Sequence, residues 1–358
     1  MKLCYWLAFI CVNLLILIVP AFSGTPISDT PAIVVKDYTG NRLTLDRPVS
    51  RIACLYAFSG HVVTMLGRGQ DMVAVVKGLK KDKLLHQIVP GVQQLPVVSS
   101  GGIIHIEALL KTRPDLVFLK PETAKIKAEL KKLARFKLAY FVVGYNNMAQ
   151  QMETIEMMGR AIGCHEKALA YTRYYRAMID RVRSRTKGIA EEKKVRLYHA
   201  INEPYRTDAK GTIEADWTQA CGVINVSVEA GLAGHGNKKF AGIEQILLWN
   251  PGVVIVNESF ANQLIIGDKK WAPIRAVQDK KVFTIPVGIS RWGHPGGLET
   301  PLAILWTAKT VYPELFQDID MKQEVRAFYK QFFNINLEYR MLDKILNGKG
   351  MRLDKQAS

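Results

Sequence analysis

A 14-residue motif occurs twice in this chain and fixes much of what it can fold into. Residues 106–119 read IEALLKTRPDLVFL, and residues 243–256 read IEQILLWNPGVVIV. Five of the 14 positions are identical: Ile106/Ile243, Glu107/Glu244, Leu110/Leu247, Pro114/Pro251 and Val117/Val254. Four more exchange one apolar residue for another. Each copy predicts a short helix, a proline break and a buried strand. The copies lie 137 residues apart, beyond the ~20–50-residue period of a solenoid. Two similar α/β lobes in one chain fit that spacing, with a glutamate opening the same helix in both.

At 358 residues the chain exceeds the usual size of a single core, so two domains are expected. The predicted division is a signal peptide at 1–23, an N-terminal α/β lobe at 24–147 and a helical linker at 148–194. A C-terminal α/β lobe with closing helices follows at 195–340, then a basic tail at 341–358. The signal reading rests on Lys2, the nearly apolar run Leu3 to Val19, and small residues before Gly24. No cysteine follows the expected cleavage point, which argues against a lipid anchor. No later stretch is apolar enough to cross a bilayer, so the mature chain is expected to be exported, soluble and periplasmic.

Cys4 and Cys11 leave with the signal, and Cys54, Cys164 and Cys221 remain. None has a CxxC or CxxH spacing, so zinc and redox motifs are not indicated, and small buried hydrophobes are the expected role. The formal charge is +17, or +16 once Lys2 is subtracted. A basic chain draws nucleic acid, anionic membrane surfaces or anionic ligands. Nucleic acid is excluded by the expected compartment, and the lysines are scattered as a solvated surface is. A mild pull on anionic solutes remains.

Along the chain, 33–47 predicts a hairpin turning at Thr39-Gly40-Asn41. Apolar runs at 51–58, 72–76, 116–119 and 138–143 alternate with helical segments, the signature of parallel βαβ units. Residues 165–186 predict one helix of roughly 33 Å, preceded by a break marked by Gly159 and Gly163. The second lobe places strands at 195–202, 253–256 and 282–288, with 223–239 irregular. Helices at 302–312 and 321–333 close it, and the last ~15 residues are expected to be loosely held.

A helix joining two α/β lobes leaves a cleft between them, and ligands sit beyond the carboxyl ends of strands. Those ends carry Tyr56, Ser59 and His61; Lys120, Pro121 and Glu122; Asn202, Glu203, Tyr205 and Arg206; Asn257, Glu258, Ser259 and Phe260; and Ser290, Arg291, Trp292 and His294. The candidate ligand set is Tyr56, His61, Ser100, Tyr205, Arg291, Trp292 and His294, with the dense loop 289–297 its centre. Arg291 offers a bidentate pair to a carboxylate or oxoanion. Trp292 offers an apolar face. His61 and His294 offer metal ligands, although no metal site is assigned.

The segments VVKDYTGNRLTLDRPVSRIACL, the two motif copies and WAPIRAVQDKKVFTIP resemble one family over about residues 33–333. They look like the substrate-binding proteins of bacterial ABC importers for ferric siderophores, haem and cobalamin, the group with a helical interlobe linker. WGHPGGLETPLAILWTAKTVYPELFQDID is similar to a branch that includes a molybdate/tungstate-binding member. The resemblance implies two three-layer αβα lobes joined by a single long backbone helix, with the cleft between them.

It further implies that Glu107 and Glu244 dock the lobes onto arginines of an inner-membrane permease dimer with its ATPase. The expected function is capture of a metal chelate (ferric siderophore, haem or corrinoid) by a monomer with no cofactor of its own. A molybdate or tungstate oxoanion is the alternative cargo. A two-domain metal-dependent enzyme is the alternative of another class, but HExxH, GxSxG and P-loop spacings are absent from the sequence.

Overall fold

The computed structural model describes residues 32–232, 234–235, 238–349 and 351–352; the predicted leader lies outside them. Chain order is β1 (Ile33–Lys36), β2 (Arg42–Leu45), β3 (Ile52–Cys54), α1 (Ala57–Met65), β4 (Met72–Val75) and α2 (Lys83–Ile88). Then come β5 (Ser99–Ser100), β6 (Ile103–Ile104), α3 (Ile106–Lys111), β7 (Leu116–Leu119), α4 (Pro121–Ala124), α5 (Lys127–Arg135) and β8 (Tyr140–Val142). The first sheet has the all-parallel order β4-β3-β7-β8. One face packs Ala53, Val117 and Leu119 on Leu109 of α3 and Leu133 of α5. The other packs Ile52, Cys54 and Phe118 on Val62 of α1 and Ile155 of the next helix.

That helix, α6 (Met148–Ala161), leads into α7 (His165–Thr186). The Asn147 side chain caps α6 by accepting from the Gln150 amide at 2.9 Å. Gly159 does not break the helix, contrary to expectation. A Cβ there would stand 2.6 Å from the Ala168 Cβ, so the glycine serves close approach of α6 and α7. The break falls at Ile162–Cys164, where Gly163 takes φ +71°.

The second lobe contains β9 (Arg196–Ala200), β10 (Arg206–Thr207), α8 (Ile213–Ala220), β11 (Ile224–Asn225), β12 (Gly234–His235) and β13 (Lys238–Phe240). It continues with α9 (Ile243–Trp249), β14 (Val253–Val256), α10 (Ser259–Gly267), α11 (Arg275–Gln278) and β15 (Val282–Thr284). Its main sheet is parallel in the order β11-β9-β14-β15. Numbered from each lobe's first strand, both sheets run 2-1-3-4. The motif copies therefore occupy equivalent places, as helix and third strand. Each copy's helix ends on a left-handed residue just before its proline: Arg113 at φ 44° and Asn250 at φ 41°. The strand β11, only two residues long, lies in the segment expected to be irregular.

Helices α12 (Thr300–Val311), α13 (Met321–Phe333) and α14 (Tyr339–Leu346) close the chain. One continuous core joins the inner faces of both sheets to α6, α7 and all three closing helices. The expectation of a loosely held tail is corrected for its described part, and residues 350 and 353–358 lie outside the described residues. Leu342 and Ile345 are fully buried, and Met351 is 2% exposed, because α14 has an apolar face that the core covers. Cys54 and Cys221 are buried and Cys164 half-buried, all as free thiols. No helix among the described residues is long and apolar enough to cross a membrane.

Candidate functional site

In a 2-1-3-4 parallel sheet the strand order reverses between the first and third strands, and ligands collect beyond that point. In the first lobe it is the gap between the ends of β3 and β7. A cavity of about 320 Å³ lies there, lined by Tyr56, Lys77, Gly78, Ser100, Gly102, Lys120 and Thr123 among others. Tyr56 stands at the N-cap of α1, and burial, above all, pushes its hydroxyl pKa up to about 12. Its neighbour Tyr145 donates across to the Pro295 carbonyl of the second lobe.

The loop after β15 comes against these tyrosines: a Cβ on Gly296 would stand 3.8 Å from the Tyr56 hydroxyl. Glu299, fully buried, accepts from the Ile289 amide at 2.8 Å, from the Ser290 amide at 3.2 Å, and from the hydroxyls of Ser290 and Tyr329. These bonds hold the loop's entry. Its turn needs glycine: Gly293 has φ +64° and lies under the Trp217 ring, whose Nε1 donates to the Gly293 carbonyl at 2.9 Å.

The loop so held presents Arg291. Its Nη1 donates to Asn202 Oδ1 at 2.7 Å and to Glu258, and its Nη2 meets His294 Nε2 at 2.8 Å. Burial lowers the Arg291 pKa, and Glu258 opposes that; a guanidinium stays charged regardless. Both ring nitrogens of His294 face N–H donors, Arg291 Nη2 and, at 3.3 Å, the Gly296 amide. An imidazolium has nothing to accept with, and a neutral ring accepts one bond, the shorter at Nε2. Burial and the charges of Arg291, Arg206 and Arg352 hold its pKa well below the ordinary histidine value. His294 is therefore neutral.

Arg206, on β10, is a different kind of cation. Its Nε is buried without a hydrogen-bond partner, and no carboxylate pairs with it among the described residues. Beneath it lies a buried polar network. His199 Nδ1 meets Asp208 at 3.0 Å while Nε2 meets Asn257 Oδ1. The Asn257 amide is oriented by donating Nδ2 to the Trp292 carbonyl, so both nitrogens of His199 face acceptors. Burial lowers its pKa, but the Asp208 carboxylate outweighs this and the net direction is up. Glu214 nearby is pushed up to about 8 by burial and by Asp208.

Of the expected ligand residues, Tyr56 and Ser100 line the first-lobe cavity, and Arg291 and His294 meet each other on the loop after β15. Two expectations are corrected. His61 is 2% exposed, its Nε2 held 2.9 Å from Asp82, so it faces a buried carboxylate instead of the cleft. Trp292 is fully buried, because its ring turns into the core while its neighbours turn out. Tyr205 is half-buried, its ring 5.7 Å from that of Trp271 and packed against the second lobe's core. Arg206, Asn202 and Glu258 were legible as strand-end residues, but the pairing of Asn202 and Glu258 with Arg291 was not. Among the described residues, no group of three or more His, Cys, Asp or Glu is arranged to hold a metal ion.

Glu107 and Glu244 are exposed in the first turns of α3 and α9. A helix inside a parallel βαβ unit runs against its strands, which sets these turns at the strand-end edge of each sheet.

A family model described as periplasmic binding protein matches residues 52–287. The chain is 25% identical over 327 residues to the molybdate-binding protein MolA of Haemophilus influenzae, covering 84% of this chain and 90% of that protein. It is 22% identical over 261 residues to a vitamin B12-binding protein of Vibrio cholerae, covering 72% and 84%. The crystal structure of MolA bound to molybdate superposes with a TM-score of 0.74 at 20% identity, covering 85% of this chain and 99% of that one. With the match spanning more than half of its length, the chain belongs to the periplasmic binding protein family, the substrate-binding components of ABC transporters.

Proposed function

We propose that this chain captures a tetrahedral metal oxoanion of the molybdate/tungstate class and delivers it to an ABC permease. The observation that carries the reading is Arg206, a cation with a buried, unpartnered Nε whose charge reaches His294, the partner of Arg291. An oxoanion is acceptor-only, and charge-assisted bonds to guanidinium are the strong way to hold it. A neutral His294 keeps a ring beside such a ligand without adding a fixed charge. The expected leading cargo, a metal chelate, would call for an aromatic platform, and Trp292, the best candidate, is buried. The similarity to a molybdate-binding protein supports the same cargo.

In this reading Glu107 and Glu244 are the permease contacts, one per lobe, and residues 1–23 are an export leader removed from a monomeric periplasmic protein. The test is a thermal-shift screen of the mature chain against molybdate, tungstate, sulfate, a ferric siderophore, haem and cobalamin. Molybdate and tungstate should raise the melting temperature. A rise with cobalamin, haem or the siderophore alone would sink the oxoanion assignment.

A further inference from the structure

The carbonyls of the two residues between Arg291 and His294 are each held by a buried side chain. Asn257 Nδ2 donates to the Trp292 carbonyl at 3.3 Å, and Trp217 Nε1 donates to the Gly293 carbonyl at 2.9 Å. His199, on β9, touches both of these donors. Its Nε2 meets Asn257 Oδ1, and its ring lies edge-on to Trp217, with centroids 5.5 Å apart and planes at 71°. Its Nδ1 meets Asp208 at 3.0 Å, and the Asn225 amide braces Asp208 at 2.7 Å. His199, Trp217, Asn257 and Asp208 are all buried, so bulk water does not replace a bond that one of them loses.

An imidazolium donates at both nitrogens and satisfies Asp208 and Asn257 together, whereas a neutral ring donates at one. A neutral ring that keeps the Asp208 bond sets a bare Nε2 against Asn257 Oδ1. Turning the Asn257 amide over repairs that contact but leaves its oxygen against the Trp292 carbonyl. A neutral ring that keeps the Asn257 bond instead sets a bare Nδ1 against the Asp208 carboxylate, a repulsion that burial makes costly. No neutral arrangement keeps every bond of the chain from Asp208 through His199 and Asn257 to the loop.

We propose that His199 is a positioning residue whose proton pins the loop carrying Arg291 and His294, the loop being firm while His199 is an imidazolium and loosening when it is neutral. The pinning stands on the contacts above; its effect on cargo rests on the oxoanion reading. The groups around the ring fix the sign. Burial lowers the His199 pKa, Asp208 beyond β10 and Glu214 on α8 raise it, and the net direction is up. Strands β11 and β14 lead to neutral amides, Asn225 and Asn257. The other ionisable groups of this region are Arg206 on β10, which acts on Glu214, and the neutral His294 of the loop. The pinned loop is therefore present below the raised pKa and lost as pH rises through it.

The test is hydrogen exchange of residues 289–297 in the unliganded mature chain at about pH 6 and about pH 9, corrected for the intrinsic pH dependence of amide exchange. A Glu214→Gln background keeps that acid from titrating in the same window. Protection of 289–297 should fall roughly tenfold between the two conditions, while α7 stays unchanged. Asn257→Ala leaves the His199–Asp208 pair in place and should give the low protection at both. Equal protection at both pH values, an undiminished pH-dependent fall in Asn257→Ala, or a fall shared equally by α7 overturns the proposal. Calorimetry with molybdate should show affinity falling roughly tenfold over the same interval, and a pH-independent affinity overturns the effect on cargo. Should the chain bind no molybdate, the oxoanion reading falls by itself, and the exchange arm still upholds or overturns the role of His199.

Discussion

Replacing Arg206 by methionine removes the guanidinium and keeps an unbranched apolar stem in its place. The buried Nε has no partner and no carboxylate depends on the side chain for pairing among the described residues. The substitution therefore strands no charge, and the stability change should stay within about 0.5 kcal/mol. The oxoanion, in contrast, loses a charge-assisted donor worth about 1.5–3 kcal/mol. At about 1.4 kcal/mol per tenfold, affinity for molybdate should fall roughly 10- to 150-fold. The site is half-buried, so the loss should persist at high ionic strength, unlike that of a screened surface lysine. Isothermal titration at low and high salt measures the first quantity, and thermal unfolding of the unliganded protein measures the second. An affinity within threefold of wild type refutes the assignment of Arg206 to the cargo. A large loss of unliganded stability refutes the claim that its charge has no structural partner.

Two further outcomes are expected. Glu214 holds its proton in the fold up to about 8, while the unfolded chain releases it near 4.3. Between those values the native state binds more protons, so this group's contribution to stability is full below about 4.3 and lost as pH rises toward about 8. Glu214→Gln should therefore flatten the decline in melting temperature across that window and leave the variant more stable than wild type above it; an identical pH profile would refute the buried-acid argument. For docking, the double variant Glu107→Ala with Glu244→Ala should keep molybdate affinity and lose most transport in a reconstituted importer, and unimpaired uptake would remove both residues from the permease contact.

Elements with many local determinants were legible in the sequence. The helix expected at 165–186 is observed over those residues, because apolar spacing and helix formers agree along its whole length. The motif copies led to equivalent helices and third strands because the proline, the strand and the glutamate recur together. Elements of two or three residues, such as β11, were not legible, since alternation has no room to develop and their pairing partners lie elsewhere. Side-chain direction at strand ends was also out of reach. Arg291 and Trp292 are neighbours in the chain, yet one pairs with Asn202, Glu258 and His294 and the other is buried in the core. Glu299 and Tyr329, which hold that loop, are 8 and 38 residues away from Arg291 by their numbers. The environment of His61 depends on Asp82, 21 residues on, and through it on Arg352.

The repeated motif also shows where selectivity has to reside. Its shared residues build matching halves: Ile246 and Leu109 sit fully buried in equivalent helices, and Val117 and Val254 in equivalent strands. The residues at the strand ends, just outside the copies, differ between the lobes. After the third strand the first lobe has Lys120 and Pro121, and the second has Asn257 and Glu258. After the first strand, one lobe has Tyr56 and the other Asn202 and, a few residues on, Arg206. A symmetric frame with an asymmetric cleft lets one lobe supply a hydroxyl and lysine rim while the other supplies guanidinium donors. The frame can then be held constant while cargo preference is altered through the cleft residues alone, with Arg206 the position where a single exchange should have the largest effect.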